Sequence, residues 1–519
     1  MNHNLYTQLK SFFPADRHTA AIESILPDGG TRTYSWDELD ALSAKIAHKL
    51  QALELPPASR IAVQVEKSVE AIALYLGAVR AGHVFLPLNT AYKKGEMEYF
   101  IQNAEPAVLV CTSLNLDWIH ALAGSAGIRH VFTLDGNSTG SLLADLDLFA
   151  SAFDDVHRTA DALAAILYTS GTTGRSKGAM LSHGNLMANA HSLKQYWGWQ
   201  DGDVLIHALP IFHVHGLFIA IHAALINGSK MIWLPKFDAK QVIAQLPKAT
   251  VLMGVPTFYV RMLSEPSLTP EIARHMRLFI SGSAPLLIET FNEWKVRTGH
   301  TILERYGMSE TIIISSNPYT PDPRYQNQSE RCGSTVGFPL PEMALRITSD
   351  ANQPLAQGEI GNIQVQGESV FSGYWRMPEK TAEEFTQDGW FKTGDVGLID
   401  PRGYLRIVGR NKDLIISGGY NVYPAEIEAM VNELPGVEES AVVGVPHADF
   451  GEAGVLLLIA KPGVHIDEQQ VLERLKAQLA AYKVPKRCHV IAELPRNAMG
   501  KVQKNILRQT YQDSFALVC

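Results

Sequence analysis

The chain of 519 residues is 46% hydrophobic, 19% charged and 8% aromatic, a globular balance that excludes disorder, a collagen-like repeat and a disulfide-stapled miniprotein. At roughly 100–200 residues per folding unit, the length calls for about three units. Lys and Arg number 45 against 53 Asp and Glu, a net charge of −8; this is the wrong sign for gripping nucleic acid or anionic lipid by bulk electrostatics, so an anionic ligand needs a local site.

In chain order, Ser35 and Glu38 form a capping box ahead of Leu39, Leu42, Ile46 and Leu50 on one stripe, which predicts a helix. A second helix carries Val69, Ile72 and Leu76 and is expected to end near Gly82, before a strand at 84–88. Apolar runs at 107–111, 163–167, 204–209, 231–234, 250–255 and 277–282 read as strands, most followed by a helical pattern. Such alternation is the mark of βα units around parallel sheets, and it puts function in the loops after the strands. Between about 333 and 408, short strand-like pieces split by Gly, Pro and Asp predict an antiparallel β subdomain. After Arg410 the pattern restarts with DLIIS, a helix at 424–433, strands at 438–445 and 454–460, a helix at 467–480, and a last strand and helix. The expected class is α/β, as a multidomain α+β chain: a large N-terminal domain of βα-layered sheets with a small β-barrel-like subdomain, and a small C-terminal α+β domain.

Cys111, Cys332, Cys488 and Cys519 show no metal-ligand spacing, as expected in a reduced compartment. The N-terminal MNHNLYTQLKSFF has no signal-peptide pattern and no run approaches a membrane span, so a soluble, cytoplasmic protein is expected.

The segment YTSGTTGRSKG at 168–178 packs hydroxyls, glycine amides and Lys177 between an apolar strand and Ser182, which can cap a helix. A strand-to-helix loop of this composition suits phosphate; a structural turn is the alternative. It is not a Walker A loop, because its glycines are three apart and Lys177 precedes Gly178. His213 and His215, with His207 and His222 nearby, raise a metal site. No Cys or carboxylate stands at ligand spacing, however, and an HxH strand aims both rings one way by alternation alone.

That loop, with RYGMSE at 305–310, TGD at 393–395, GRNKD at 409–413, SGGYNVYPAEIE at 417–428 and PRNAMGK at 495–501, resembles the adenylate-forming acyl-CoA synthetase superfamily of AMP-dependent ligases. The motifs occur in the right order over essentially the whole chain. Within the superfamily, IHALPIFHVHGLF at 206–218, LMGVPTFYVR at 252–261, SGSAPL at 281–286 and LPRNAMGKVQKN at 494–505 look most like the malonyl-CoA synthetase branch. The resemblance implies ATP, Mg²⁺ and coenzyme A: a carboxylic acid becomes acyl-AMP with release of pyrophosphate, and CoA then displaces AMP. It implies an AMP-binding domain at 1–408, a hinge at 409–412 that includes Lys412, and a mobile C-terminal domain at 413–519.

The same resemblance assigns roles. Lys501 bridges carboxylate and phosphate, and Glu310 is the magnesium-associated carboxylate. Thr169, Ser170, Gly171, Thr172, Thr173, Gly174 and Lys177 serve the phosphates. Gly282, Ser283, Ala284 and Pro285 lie beside the adenine on which Tyr306 stacks, flanked by Glu304, Arg305, Gly307, Met308 and Ser309. Asp395 and Arg410 take the ribose, and Gly418 with Gly419 borders the pantetheine channel. Core packing or a surface ion pair is the structural alternative for these residues.

For the acid, the resemblance points to His213, Arg261, Ser283, Met308 and Ile313, with Arg261 at the start of a helix and paired to the far carboxylate of malonate. A plain fatty acid would leave a buried guanidinium unpaired. Ile312, Ile313 and Ile314 depart from the polar residue of close relatives; as adjacent strand residues they would make the pocket drier or narrower. Malonate is the first expectation, with methylmalonate, a longer dicarboxylate or a medium- or long-chain fatty acid as alternatives. Loading of a carrier protein is a further alternative, disfavoured because the chain stops at Cys519 without a carrier. A binding-only regulator is disfavoured by the presence of Lys177, Glu310 and Lys501.

Overall fold

A computed structural model describes every residue except 1, 27–28, 170–175, 418–419, 498–499 and 516–519. Local sequence signals set many of the elements. The Ser35 hydroxyl accepts from the Glu38 N–H and the Glu38 carboxylate accepts from the Ser35 N–H, and the helix Trp36–Gln51 follows. The second helix, Val69–Arg80, stops ahead of Gly82, whose φ of +73° lies where glycine is favoured.

The apolar runs assemble into two largely parallel sheets. One has nine strands, ordered Phe338–Pro339, Ser315–Ser316, Ile302–Tyr306, Leu278–Ser281, Val251–Gly254, Val204–His207, Lys230–Trp233, Ala20–Ile25 and Thr31–Ser35. Its six inner strands are parallel and its edges antiparallel. The other has six strands, ordered His130–Thr133, Val108–Cys111, Arg60–Gln64, Val84–Pro87, Leu163–Thr169 and Lys177–Ser182, the last antiparallel. Both inner regions are buried on both faces, which is why their strands read as unbroken apolar runs.

The β-rich segment is a four-stranded antiparallel meander of Met343–Thr348, Gly361–Gly367, Phe391–Ile399 and Leu405–Arg410. Beyond it, Val437–His447 and Gly451–Ala460 form a long antiparallel pair; Ile415–Ser417, itself paired with Tyr420–Val422, and Arg487–Val490 both join Gly451–Ala460. The chain is thus a mixed α/β structure with a large N-terminal part and a small C-terminal one.

Three sequence expectations change. Residues 177–182 are a strand paired antiparallel with Leu163–Thr169, not the approach to a helix. Ser182 does cap a helix, His183–Tyr196, but one strand later. His213 and His215 do not share a strand: His215 opens a π-helical turn, His215–Ala220. Ile312–Ile314 is a turn, with Ile312 at φ +60°, and all three side chains are buried.

Candidate active site

The site grows from the C-terminal ends of two neighbouring parallel strands, Leu278–Ser281 and Ile302–Tyr306. After the first comes Gly282, where a Cβ would stand 2.5 Å from Arg305 Cζ and Nε, so a side chain there would displace the guanidinium. Ser283 follows at φ +72°, its hydroxyl 3.3 Å from His215 Nδ1. Ala284 is half-buried and Pro285 exposed. On the second strand, Glu304 Oε1 accepts the Leu286 N–H at 2.9 Å, which pins the 282–286 segment. Burial pushes the Glu304 carboxyl up to about 8, so at neutral pH it is uncharged.

Arg305 is 3% exposed, and its Nε and Nη2 have no hydrogen-bond partner among the described residues. Burial holds its pKa down to about 9. A guanidinium left unpaired inside a protein costs several kcal/mol, so its retention points to an anion that completes it. His213 and His215 lie beside it. Burial, then Lys501 and Arg305, hold His213 down to about 3; burial, then Arg305 and the two neighbouring histidines, also depress His215. Both rings are therefore neutral. Among the described residues, no group of three or more His, Cys, Asp or Glu could hold a metal ion.

Past Tyr306 the chain turns sharply. A Cβ on Gly307 would stand 2.0 Å from the Ile312 carbonyl, while Thr311 and Ile312 donate to the Met308 carbonyl at 3.2 and 2.9 Å. Met308 and Ser309 are half-buried in this turn and Glu310 is buried. Glu310 Oε1 accepts from the Tyr374 hydroxyl at 2.9 Å; burial raises the carboxyl's pKa, against Tyr374, Lys177 and Arg410, which lower it. Lys177 pairs with Glu384 at 2.8 Å and lies 4.2 Å from the Tyr374 ring centre. Glu310 stands in no group of three or more His, Cys, Asp or Glu among the described residues, which suits Mg²⁺ that arrives with a triphosphate and keeps most ligands from phosphate and water.

Asp395 accepts the Tyr306 hydroxyl proton and pairs with Arg410 Nε at 3.0 Å, so the three predicted nucleoside residues are joined before ligand arrives. Thr169 is half-buried at the strand end. From the C-terminal part, Lys501 enters after Gly500 at φ +75° and comes within electrostatic reach of Arg410, Asp395, Arg305 and Glu310. Lys501 keeps contact with solvent, yet enclosure, with Arg410 and Arg305 nearby, lowers it to about 8. Lys412 is exposed in the short turn Asn411–Asp413, its pKa lowered to about 8 by desolvation and Arg410.

Arg261 is not part of this cluster. Pro256 starts its helix, Pro256–Leu263, so Arg261 falls in the last turn instead of the first, exposed beside Val260 and with no ion pair among the described residues. Ile313 contributes its carbonyl to Asn189 while its side chain is buried. Ser170, Gly171, Thr172, Thr173, Gly174, Gly418 and Gly419 lie outside the described residues. Sequence reading missed Tyr374, Glu384 and the contact of His215 with Ser283; the Gly373-Tyr374-Trp375 triplet after an apolar strand was the available signal.

Residues 14–375 match the family described as AMP-binding enzyme, and residues 426–501 match the AMP-binding enzyme C-terminal domain. A malonate–CoA ligase of Arabidopsis thaliana is 35% identical over 88% of this chain and 78% of its own length. The mitochondrial malonate–CoA ligase of Mus musculus is 32% identical over 87% and 82%. The ATP-bound crystal structure of MatB from Rhodopseudomonas palustris is 51% identical, with a TM-score of 0.94, over 99% of this chain and 100% of that one. No helix among the described residues is long and apolar enough to cross a membrane. The chain belongs to the AMP-binding enzymes, the adenylate-forming family of acyl-CoA ligases.

Proposed function

We propose that this chain converts malonate, ATP and coenzyme A to malonyl-CoA, AMP and pyrophosphate through malonyl-AMP. The observation that carries the choice of acid is buried Arg305, with two unpartnered donors beside neutral His213 and His215. The names of the Arabidopsis and mouse relatives support the same acid. A charge-assisted pair contributes about 1.5–3 kcal/mol, roughly ten- to a hundredfold in affinity.

In the first step one carboxylate oxygen attacks the α-phosphorus, a P–O bond forms, and the bond to the β-phosphate oxygen breaks as pyrophosphate leaves. Tyr306 supplies a ring face to the adenine, Asp395 and Arg410 accept from and donate to the ribose hydroxyls, and Lys501 places its ammonium between carboxylate and α-phosphate. Mg²⁺ bound with ATP near Glu310 supplies neutralising charge on the phosphates. In the second step the CoA sulfur attacks the acyl carbon, the bond to the AMP oxygen breaks and the thiol proton passes to solvent. In this proposal residues 413–519 turn about the hinge at 409–412 between the steps, with Gly418 and Gly419 beside the pantetheine arm.

The test is thioester formation, read by mass, with malonate, methylmalonate, succinate, propionate and octanoate. Malonate is expected to give the highest kcat/KM, and Arg305→Met to cut that value about ten- to a hundredfold while changing octanoate little. Octanoate outrunning malonate with the unaltered protein would overturn the choice of acid.

A further inference from the structure

We propose that Tyr374 is a positioning residue that holds the buried carboxylate Glu310 and the phosphate-loop lysine Lys177 at a set separation. The inference rests on the reading of those two groups as the ones that flank the triphosphate. A single side chain touches both: the hydroxyl donates to Glu310 Oε1 at 2.9 Å, and the ring centre lies 4.2 Å from Lys177 Nζ.

Tyr374 is 4% exposed and fixed from several sides. Its N–H donates to Thr381 Oγ1 at 2.9 Å. The segment around it runs along the strand that leaves the phosphate loop: Met180 N–H donates to the Gly373 carbonyl at 3.0 Å, and Trp375 N–H to the Gly178 carbonyl at 2.8 Å. The Phe371 N–H reaches the other way, to the Glu310 carbonyl, at 2.8 Å. Residues 371–375 therefore strap the loop-bearing hairpin to the turn that carries Glu310, with the phenol as the side-chain half of the strap. Glu384 completes the arrangement, its carboxylate holding Lys177 at 2.8 Å.

The geometry has a chemical purpose. A buried tyrosine hydroxyl needs a partner, and here the partner is an acid that would otherwise rotate about its own side-chain bonds. A cation over a ring face keeps freedom to slide along it, which lets Lys177 leave Glu384 for phosphate without losing the ring. The hydroxyl thus governs the metal side of the site and the ring governs the phosphate side.

The full-length protein is titrated calorimetrically with ATP, with and without Mg²⁺. The unaltered protein is expected to bind ATP more tightly with Mg²⁺. Tyr374→Phe, which keeps the ring, is expected to lose about three- to tenfold of that Mg²⁺-dependent gain with metal-free ATP affinity unchanged. Tyr374→Leu is expected to weaken metal-free ATP as well. In a Glu310→Gln background, Tyr374→Phe should cost nothing further, an outcome that a general packing role does not produce. Thermal unfolding checks that each variant is folded. An undiminished Mg²⁺ gain in Tyr374→Phe, or a full additional loss in the Glu310→Gln background, overturns the role of Tyr374. Failure of the unaltered protein to bind ATP overturns instead the ligase reading on which the role rests.

Discussion

Lys501 sets the pH behaviour of the first step. Its pKa in the folded protein, about 8, lies below the ordinary 10.5 because enclosure and Arg410 disfavour the charge. In the proposed step the ammonium form does the bridging; its population is nearly complete at pH 6–7 and declines as pH rises through about 8. We expect kcat/KM for adenylation, measured as pyrophosphate exchange without CoA so that no thiol titrates, to fall about 25-fold between pH 7.5 and 9.5. Lys501→Ala should reduce exchange by about a thousandfold and leave no basic limb; a flat wild-type profile would deny Lys501 this part. His213, held down to about 3, stays neutral across that range and adds no acid limb near pH 6. At this scale the sequence was informative about residue types and poor about direction. Arg305 was legible as part of RYGMSE, but the closeness of its guanidinium to Gly282, just past the neighbouring strand, is concealed by 22 intervening residues.

Elements divide by how local their causes are. Ser35 with Glu38, Gly82 and the buried apolar runs act within a few residues, and the helices and parallel strands they predict are present. The phosphate-loop segment was read toward Ser182 as a helix cap, although Ala179 and Leu181 already alternate as buried strand residues between them. Tyr374 reaches Glu310 across 64 residues and Lys177 reaches Glu384 across 207, pairings that no local pattern announces. The turn at 307–314 is the element most exposed to a single change. Gly307→Ala would drive a methyl to 2.0 Å from the Ile312 carbonyl and 2.8 Å from Ile313 Cα, both backbone atoms. Relief requires the turn to open and Glu310 to move. We expect a loss of about 1–3 kcal/mol in stability, seen in thermal unfolding, together with at least a hundredfold loss of pyrophosphate exchange. Unaltered exchange would show that Glu310 tolerates displacement.

For the whole molecule, the apolar clusters mark the division. The main cluster runs from Leu5 to Leu405, whereas two others draw only on residues between Ile415 and Phe515, and no described cluster joins the two sets. Each set buries its own apolar surface, which is the requirement for folding alone. A chain of residues 1–410 is therefore expected to unfold cooperatively and to bind ATP, yet to show no pyrophosphate exchange above background. Aggregation of this fragment on expression would show that the C-terminal part is needed for the fold itself. The order of motifs along the sequence made the two-part plan legible; that Lys501 reaches Arg410 and Asp395 across the division needed the structure.

That reach bears on synthesis in the cell. The residues proposed for adenine and ribose are complete once residue 410 has left the ribosome, but Lys501 follows 91 residues later (501 − 410). At about 5–20 residues per second, this is an interval of about 5–20 s. On the proposed mechanism, a folded nascent body holds ATP and an acid side by side during it without joining them. On the proposed mechanism a reactive acyl adenylate, which water would destroy or a stray amine would capture, is not made until the domain proposed to admit CoA is also in place. If Lys501 has the proposed part, its lateness in the chain works as a quality check on the product of translation, and a protein clipped anywhere before it is silent instead of wasteful.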